Sequence, residues 1–426
     1  MRTIVVLMSL LISASITALA QSNAPDEVNL GRASLDTVWQ TVYEHHYDST
    51  FGGLNWKDIH DRYDKLAATT KEDSSFIKLM NQMLRELKLS HYSVFRVEDA
   101  ASSGSPSMSE GSIGIELGLF GNEAVITALN PDFPAAQAGM KLGYQIKSFN
   151  GKSIRQILSD VTAKHIPHFN ERQMTKSMCR EVTGYCFGQP GDTVVITYED
   201  ETGVSHDTRL KMKQRTGGTK VSEELPTIYV DFKAERLAGN LGYISFSTFF
   251  PPADSLFLAA LNSMKDIRGL IIDIRSSPGG MHEIGETIAS RLVSKKTLFS
   301  VFQYRDSTVK VSVDPAPPIF EGPVAILINV MNGSASERFS ACMQSIGRAK
   351  IIGEQSSGAV GPSNLKKLPD GASFLYLVAQ SSTPDGTVLE GRGVIPDITV
   401  PLDRNALLKG RDTQIERAID YLKESR

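Results

Sequence analysis

Three scarcities narrow the reading before any motif is considered. Only 3 cysteines occur in 426 residues, which excludes a disulfide-built scaffold. With no Cys-x-x-Cys pair and no His-Glu-x-x-His run, nothing in the sequence marks a metal site. Cys179 and Cys186 stand close together in a polar, loop-like stretch. They leave two readings open, a disulfide in an oxidising compartment or two separate buried thiols. Cys342 falls on the apolar side of a predicted helix, a core position. A basic excess is also missing: 45 Lys and Arg stand against 48 Asp and Glu, a formal net charge of −3. That balance argues against a nucleic-acid partner, which needs cations to neutralise phosphates. Finally, no apolar run has the length of a bilayer-spanning helix, so no membrane span is expected.

What is present begins with an export signal. Arg2 precedes the mostly apolar Ile4 to Ile16, and Ala18-Leu19-Ala20 fits the small-x-small rule for cleavage before Gln21. Residues 1–20 therefore read as a signal peptide and the protein as periplasmic or secreted. The remaining length is too great for one ordinary core. After a polar leader at Gln21 to Asn29, apolar residues recur at helical spacing to Lys88 (Leu35, Val38, Trp39, Val42; Phe76, Leu79, Met80, Met83, Leu87). This predicts a helical N-terminal domain over 28–99. Ala100 to Ser112 is rich in Ser, Gly and Pro and reads as a linker. Short β-like runs and the tight-turn pair Asn150-Gly151 predict a β-domain over 108–216. From about Pro226, buried-looking β runs (Gly242 to Phe246, Gly269 to Arg275, Val324 to Asn329) alternate with helical stretches, predicting an α/β domain over 226–402. An amphipathic helix over 403–426 closes the chain.

Chemistry concentrates in that α/β region. Ser334 stands where the β run ending at Asn329 turns into a helix whose apolar face holds Phe339, Cys342, Met343 and Ile346. Backbone N–H groups and the helix dipole there favour developing negative charge. The same residues also spell a capping box, with Ser334 as cap and Glu337 reaching back. Ser276-Ser277-Pro278-Gly279-Gly280 follows another β run, and its glycines let backbone approach a ligand closely; a plain turn would look the same. A serine nucleophile needs a base, and there are 8 histidines. Spacing does not choose among His45, His46, His60, His91, His165, His168, His206 and His282. Glu390, in a turn-rich stretch, could orient such a base or be an exposed loop charge.

Taken together, the Asp273-to-Gly280 segment, Ser334-Ala335-Ser336-Glu337, Ile351-Ile352-Gly353-Glu354 and Gly393-Val394-Ile395-Pro396-Asp397 resemble the serine peptidases that include C-terminal-processing (tail-specific) proteases and the tricorn core protease. Asn130-Pro131-Asp132-Phe133-Pro134 through Met140, followed by Gly143-Tyr144-Gln145-Ile146 and Asn150-Gly151, is similar to a PDZ module, which binds extended peptide ends. The resemblance implies a multi-domain α+β protein: helical N-terminal domain, PDZ-like β-domain and an α/β ClpP/crotonase-like catalytic domain. In the tail-specific branch a Lys follows the Gly-Glu motif as base, but here Ala359 occupies that place and Lys366 and Lys367 are out of register. The tricorn-like branch uses Ser–His with a supporting Ser and Glu. Carried onto this sequence, that makes Ser334 the nucleophile, His91 the base, and Glu390 the group that orients the pair through Ser90. The oxyanion hole would be the N–H of Gly279 or Gly280 with that of Ala335. One departure is Ser277, where the family usually has Asn. The expectation is an exported serine endopeptidase acting on peptides or unfolded proteins, without metal or cofactor, and able to form a homo-oligomer. Three rivals stand beside it. One is a non-catalytic binding protein of the same fold, one is a hydrolase using His282 as base, and one is a scaffold whose PDZ-like module is the whole function.

Overall fold

The structure, a computed structural model, describes residues 27–70, 72–102, 105–163 and 169–425. The signal segment 1–20 and the histidines 165 and 168 lie outside the described residues. The leader ends earlier than its polarity suggests, since a helix already runs over Glu27–His45.

The largest core surrounds a six-stranded sheet with strand order Phe232–Leu237, Leu241–Phe246, Gly269–Asp273, Val324–Ile328, Lys350–Gly353, Ile398–Thr399. The first pair is antiparallel and the rest are parallel. Every residue of Gly269–Asp273 and of Val324–Ile328 is buried. That is why these strands read as unbroken apolar runs: a parallel strand is covered on both faces. Leu270, Ile272 and Ile274 face one core, with Phe257 and Phe339 from the helices Ala253–Ser263 and Ala335–Ser345. Ile271, Ala325 and Leu327 face the other side, where Ala418 and Leu422 of the helix Thr413–Glu424 close over them. The C-terminal helix is thus one outer layer of this sheet.

A second core fills a sheet of order Ile115–Phe120, Glu123–Leu129, Gln145–Phe149, Thr193–Glu199, Ser205–Lys211. Phe149, Ile157 and Val182 lie at its centre. The stretch carrying Cys179, read from its polarity as loop-like, is the helix Glu171–Gly184. Asn170 caps it reciprocally: its side chain accepts from Gln173 N–H at 2.9 Å, while Gln173 Oε1 accepts from Asn170 N–H at 3.1 Å. Polarity hid this helix because part of its surface is not apolar but hydrogen-bonds the loops of the large sheet. All three cysteines are free and buried, so Cys179 and Cys186 are separate thiols, not a disulfide.

Of the serine-rich stretch expected to be a linker, the described parts have defined structure. The helix Val97–Ser102 enters it, and Gly111–Ser112 pairs with Lys213–Gln214 and with Phe187–Gly188. Between them, buried Arg215 donates to the carbonyls of Pro106 and Ser109 and to Asp231. A guanidinium supplying several fixed donors can order a segment that has little apolar surface of its own.

The third core joins the helices Glu27–His45, Trp56–Ala67 and Asp73–Arg85 through Val38, Trp56, Phe76 and Met80. Leu368, Ala372 and Phe374, from far along the chain, pack into it. They belong to a hairpin, Ser363–Lys367 with Ser373–Leu377, whose second strand pairs antiparallel with Ser93–Phe95. This three-stranded sheet carries the start of the chain to the loops of the large sheet, and so brings Ser90 and His91 next to Glu390.

Candidate active site

Ser334 begins the helix Ala335–Ser345 with φ 53° and ψ −124°, a conformation that costs a non-glycine residue about 1–3 kcal/mol and persists only where its surroundings impose it. They do so through hydrogen bonds. Ser334 N–H donates to Ala359 O at 2.7 Å, and Asn332, two residues earlier, is buried with its side chain fully engaged. Asn332 Nδ2 donates to Ile274 O at 2.7 Å and Oδ1 accepts from Asn329 N–H at 2.7 Å. Ser336 Oγ lies 2.9 Å from Ser277 O and ties the helix start to the glycine loop. The capping-box reading is corrected here. Ser334 makes no side-chain cap bond, and Glu337 does not reach back. Its buried carboxylate accepts from Gly358 N–H at 2.7 Å, Ala359 N–H at 2.9 Å and Ser356 Oγ. The carboxylate thereby holds the loop to which Ser334 N–H is anchored, and the Ser334 hydroxyl is left without a capping task.

The glycine loop lies directly against this turn. A methyl group on Gly279 would fall 2.7 Å from Ser334 Cβ and 2.9 Å from Ala335 N, so only glycine lets the two segments approach. Pro278 has no N–H, which leaves Gly279 and Gly280 as the loop's possible donors here. The Gly279 carbonyl is turned toward the buried Thr248–Phe249 segment, accepting from Phe249 N–H at 2.8 Å and Thr248 Oγ1 at 2.7 Å. In a trans peptide this points Gly280 N–H the opposite way. Ser277 is buried with its hydroxyl unpartnered, a small side chain at the base of the loop.

The other half of the site comes from both ends of the chain. Ser90 and Glu390, 300 residues apart, form two bonds: Ser90 N–H to Oε1 at 2.7 Å and Ser90 Oγ to Oε2 at 2.8 Å. Val360 N–H adds a third, to Oε2 at 2.7 Å. Ser90 Oγ also lies 2.6 Å from His91 Nδ1. The hydroxyl has one hydrogen, and a carboxylate can only accept. With that hydrogen given to Glu390, Ser90 Oγ accepts from His91 Nδ1–H, and Nε2 keeps its lone pair. His91 adopts φ 61°, a second left-handed non-glycine residue in the site. Burial, and secondarily the charge of Lys176, lowers its pKa to about 4, so the ring is neutral at pH 7. Burial raises the Glu390 carboxyl while its three hydrogen bonds pull the other way.

Ser90, His91, Ser334, Ala335, Gly279 and Gly280 all line one cleft of about 2320 Å³. No hydrogen bond joins Ser334 to His91 among the described residues; they share the cleft at longer range. Of the described histidines, His91 and His282 line it. His282 also lies in the cleft, with Nδ1 3.0 Å from Glu283 but without a hydrogen-bond partner among the described residues, and its ring stacks on Phe302. His46 meets Tyr92 OH at 2.7 Å, His60 meets Asp36 and His206 meets Asp200. Lys366 donates to Thr41 Oγ1 at 3.1 Å.

Sequence reasoning missed Lys176. It sits on the helix Glu171–Gly184 of the second unit, with Nζ 3.1 Å from Asn332 O and 3.1 Å from Ser357 Oγ. The same helix donates from Arg172 to Ser356 O, Gly391 O and Arg392 O, and from Gln173 to Gly358 O. Among the described residues no group of His, Cys, Asp and Glu is arranged to hold a metal ion, and no helix is long and apolar enough to cross a membrane.

A strained serine at a helix start, glycine N–H groups beside it and a neutral imidazole in the same cleft describe a serine-type hydrolase. Comparison with known proteins agrees. Residues 240–400 match Peptidase family S41 and residues 32–85 match the tricorn protease C1 domain. The chain is 25% identical over 393 residues to the carboxyl-terminal-processing protease of Picosynechococcus sp., covering 90% of this chain and 87% of that one. It is 24% identical over 393 residues to the carboxy-terminal-processing protease of Bartonella bacilliformis, covering 90% and 83%. Its fold is similar to that of the photosystem II D1 C-terminal processing protease, with TM-score 0.57, 20% identity, and 89% of this chain and 94% of that one covered. The chain is a serine-type peptidase and carries a domain of peptidase family S41.

Proposed function

We propose that this protein is an exported serine endopeptidase that cleaves peptide or unfolded-protein substrates through an acyl-enzyme, with Ser334 as nucleophile and His91 as general base. His91 Nε2 takes the Ser334 hydroxyl proton as Oγ attacks the scissile carbonyl. The oxygen of the tetrahedral intermediate receives N–H donors from Ala335 and from Gly279 or Gly280 at the start of the helix. The imidazolium then protonates the departing amine as the C–N bond breaks; a water deprotonated by His91 attacks the ester, and the imidazolium returns that proton to Ser334 Oγ as the acyl C–O bond breaks. Ser90 and Glu390 keep His91 in the Nδ1–H tautomer and favour the cation formed in each step.

The observation that carries the reading is the hydrogen-bond chain Glu390–Ser90–His91, which ends on the cleft where Ser334 also lies. A merely structural histidine has no need of a buried carboxylate relayed through a hydroxyl. The unit over 108–216 is proposed as a PDZ-like module that takes up an extended peptide end, as the relatives' names, C-terminal processing, would require. The test is fluorophosphonate labelling with peptide mapping. Label on Ser334, lost in both Ser334→Ala and His91→Ala, is expected. A folded protein that takes no label at Ser334 refutes the proposal, and label retained in His91→Ala but lost in His282→Ala would transfer the base to His282.

A further inference from the structure

We propose that Lys176, delivered from the neighbouring sheet unit, is a positioning residue of the serine site: it pins the Asn332–Gly333 turn beneath Ser334 and presents its positive charge to His91. The inference rests on the reading of Ser334 and His91 given above and deepens it.

The geometry is specific to an ammonium. Asn332 O accepts from Lys176 Nζ at 3.1 Å and from Ser357 Oγ at 2.7 Å, while Nζ also donates to Ser357 Oγ at 3.1 Å. The three groups close a small ring around the carbonyl two residues before the nucleophile. Nζ also fills the space beside Gly333: a methyl group there would lie 2.3 Å from it. Gly333 O in turn accepts from Ser336 Oγ at 2.8 Å, so the turn is held from two sides. Removing the ammonium frees one of those sides in a segment that must keep Ser334 in a left-handed conformation.

The electrostatic role follows from placement. Lys176 lines the same cleft as His91 and Ser334. Three charged groups act on it. Glu337 and Glu390 favour its charge, Arg180 opposes it, and His91 feels it as a cation that disfavours imidazolium. Burial lowers the pKa of Lys176 to about 8, leaving it mostly charged at neutral pH. Ser90 meets Nδ1 of His91, Glu390 acts on the ring through Ser90, and Lys176 shares the cleft. Burial first, and the Lys176 charge second, keep the base free at pH values where an ordinary histidine would already be protonated.

The test compares wild type, Lys176→Met and Lys176→Arg by the rate of fluorophosphonate labelling of Ser334 across pH 4 to 9, with thermal unfolding in parallel. Lys176→Met is expected to label about tenfold or more slowly at pH 7, because the nucleophile's turn is less well fixed. Its acid limb should move toward neutral pH, because His91 loses a neighbouring cation. Lys176→Arg, which keeps the charge but not the compact donor, should keep the acid limb of wild type while labelling more slowly. A folded Lys176→Met with the wild-type acid limb and a rate within about threefold of wild type overturns the inference. Loss of all labelling in Lys176→Met, with labelling retained in His91→Ala, also overturns it, since the lysine would then be the base. A wild type that takes no label refutes the function itself, so the two failures are distinct.

Discussion

Truncating Glu390 to alanine tests the hydrogen-bond chain from its far end. The carboxylate accepts from Ser90 N–H, Ser90 Oγ and Val360 N–H, all within 2.8 Å. Without it two backbone donors lose their partner. At about 1–3 kcal/mol for each unsatisfied group, and less where cleft water reaches, the stability cost is about 2–4 kcal/mol. Part of that is returned, because burial already disfavours the charge and Glu337 repels it. The larger effect is on the tautomer. A Ser90 hydroxyl freed of Glu390 can rotate and donate to His91 Nδ1, which puts the ring proton on Nε2 and removes the lone pair that must face Ser334. In serine proteases of the Ser-His-Asp type, a wrong histidine tautomer left by loss of the orienting carboxylate costs about 10⁴ in rate, and a fall of roughly 10³–10⁴ is expected here. Glu390→Gln should fall less. Its amide oxygen can still accept from Ser90 Oγ and Val360 N–H, leaving only its NH₂ against Ser90 N–H. The assay is the labelling rate of Ser334 at pH 7, read beside thermal unfolding. A folded Glu390→Ala that labels within about tenfold of wild type would refute the tautomer argument.

Further outcomes follow from the same contacts. Ser334→Gly should abolish labelling yet stabilise the protein by about 1 kcal/mol in thermal or urea unfolding, because glycine relieves the left-handed strain at φ 53°. Glu337→Ala should be among the most damaging single changes, about 3–5 kcal/mol in urea unfolding, since it orphans the N–H groups of Gly358 and Ala359 and strips a counter-charge from Lys176. Gly279→Ala should lose about a hundredfold or more in labelling rate while keeping the fold, because its methyl meets Ser334 Cβ at 2.7 Å. On acidification stability should fall between pH 6.5 and about 4. Buried His46 has its pKa lowered by burial from 6.5 to about 4, so the unfolded chain binds the proton first; the loss is about 3 kcal/mol and should be smaller in His46→Gln, read from melts at pH 4.5 and 7.

How far the sequence disclosed this arrangement depended on the kind of signal. The strands Gly269–Asp273 and Val324–Ile328 were legible because burial on both faces leaves no polar residue to blur them. Ser334 was legible as a strand-to-helix junction, but Ser-x-x-Glu also spells a capping box, and only the contacts of Glu337 with the loop over Ser356 to Ala359 separate the two meanings. The pairing of Ser90 with Glu390 had no local signature at all and came from resemblance. The helix Glu171–Gly184 was hidden because Arg172, Gln173 and Lys176 serve another unit's carbonyls instead of showing an apolar stripe. The segment over 105–112 looked like a linker because it is held by Arg215, more than a hundred residues away.

These hidden pieces share one property: each is a polar contact between segments that are remote in the chain. The site is divided accordingly. Ser334 and the glycine loop belong to the large sheet, His91 arrives with the helical unit through the strand pairing of Ser93 with Leu375, and Lys176 comes from the second sheet. Two left-handed residues, Ser334 and His91, stand in different parts of this assembly. Polar ties of this kind are directional and lose most of their strength when water reaches them, unlike the apolar cores of the three units. The cores can therefore remain intact under conditions in which the site is already misaligned. Reactivity of Ser334 should then decline ahead of global unfolding as urea rises, and coincidence of the two transitions would mean that the three units melt as one.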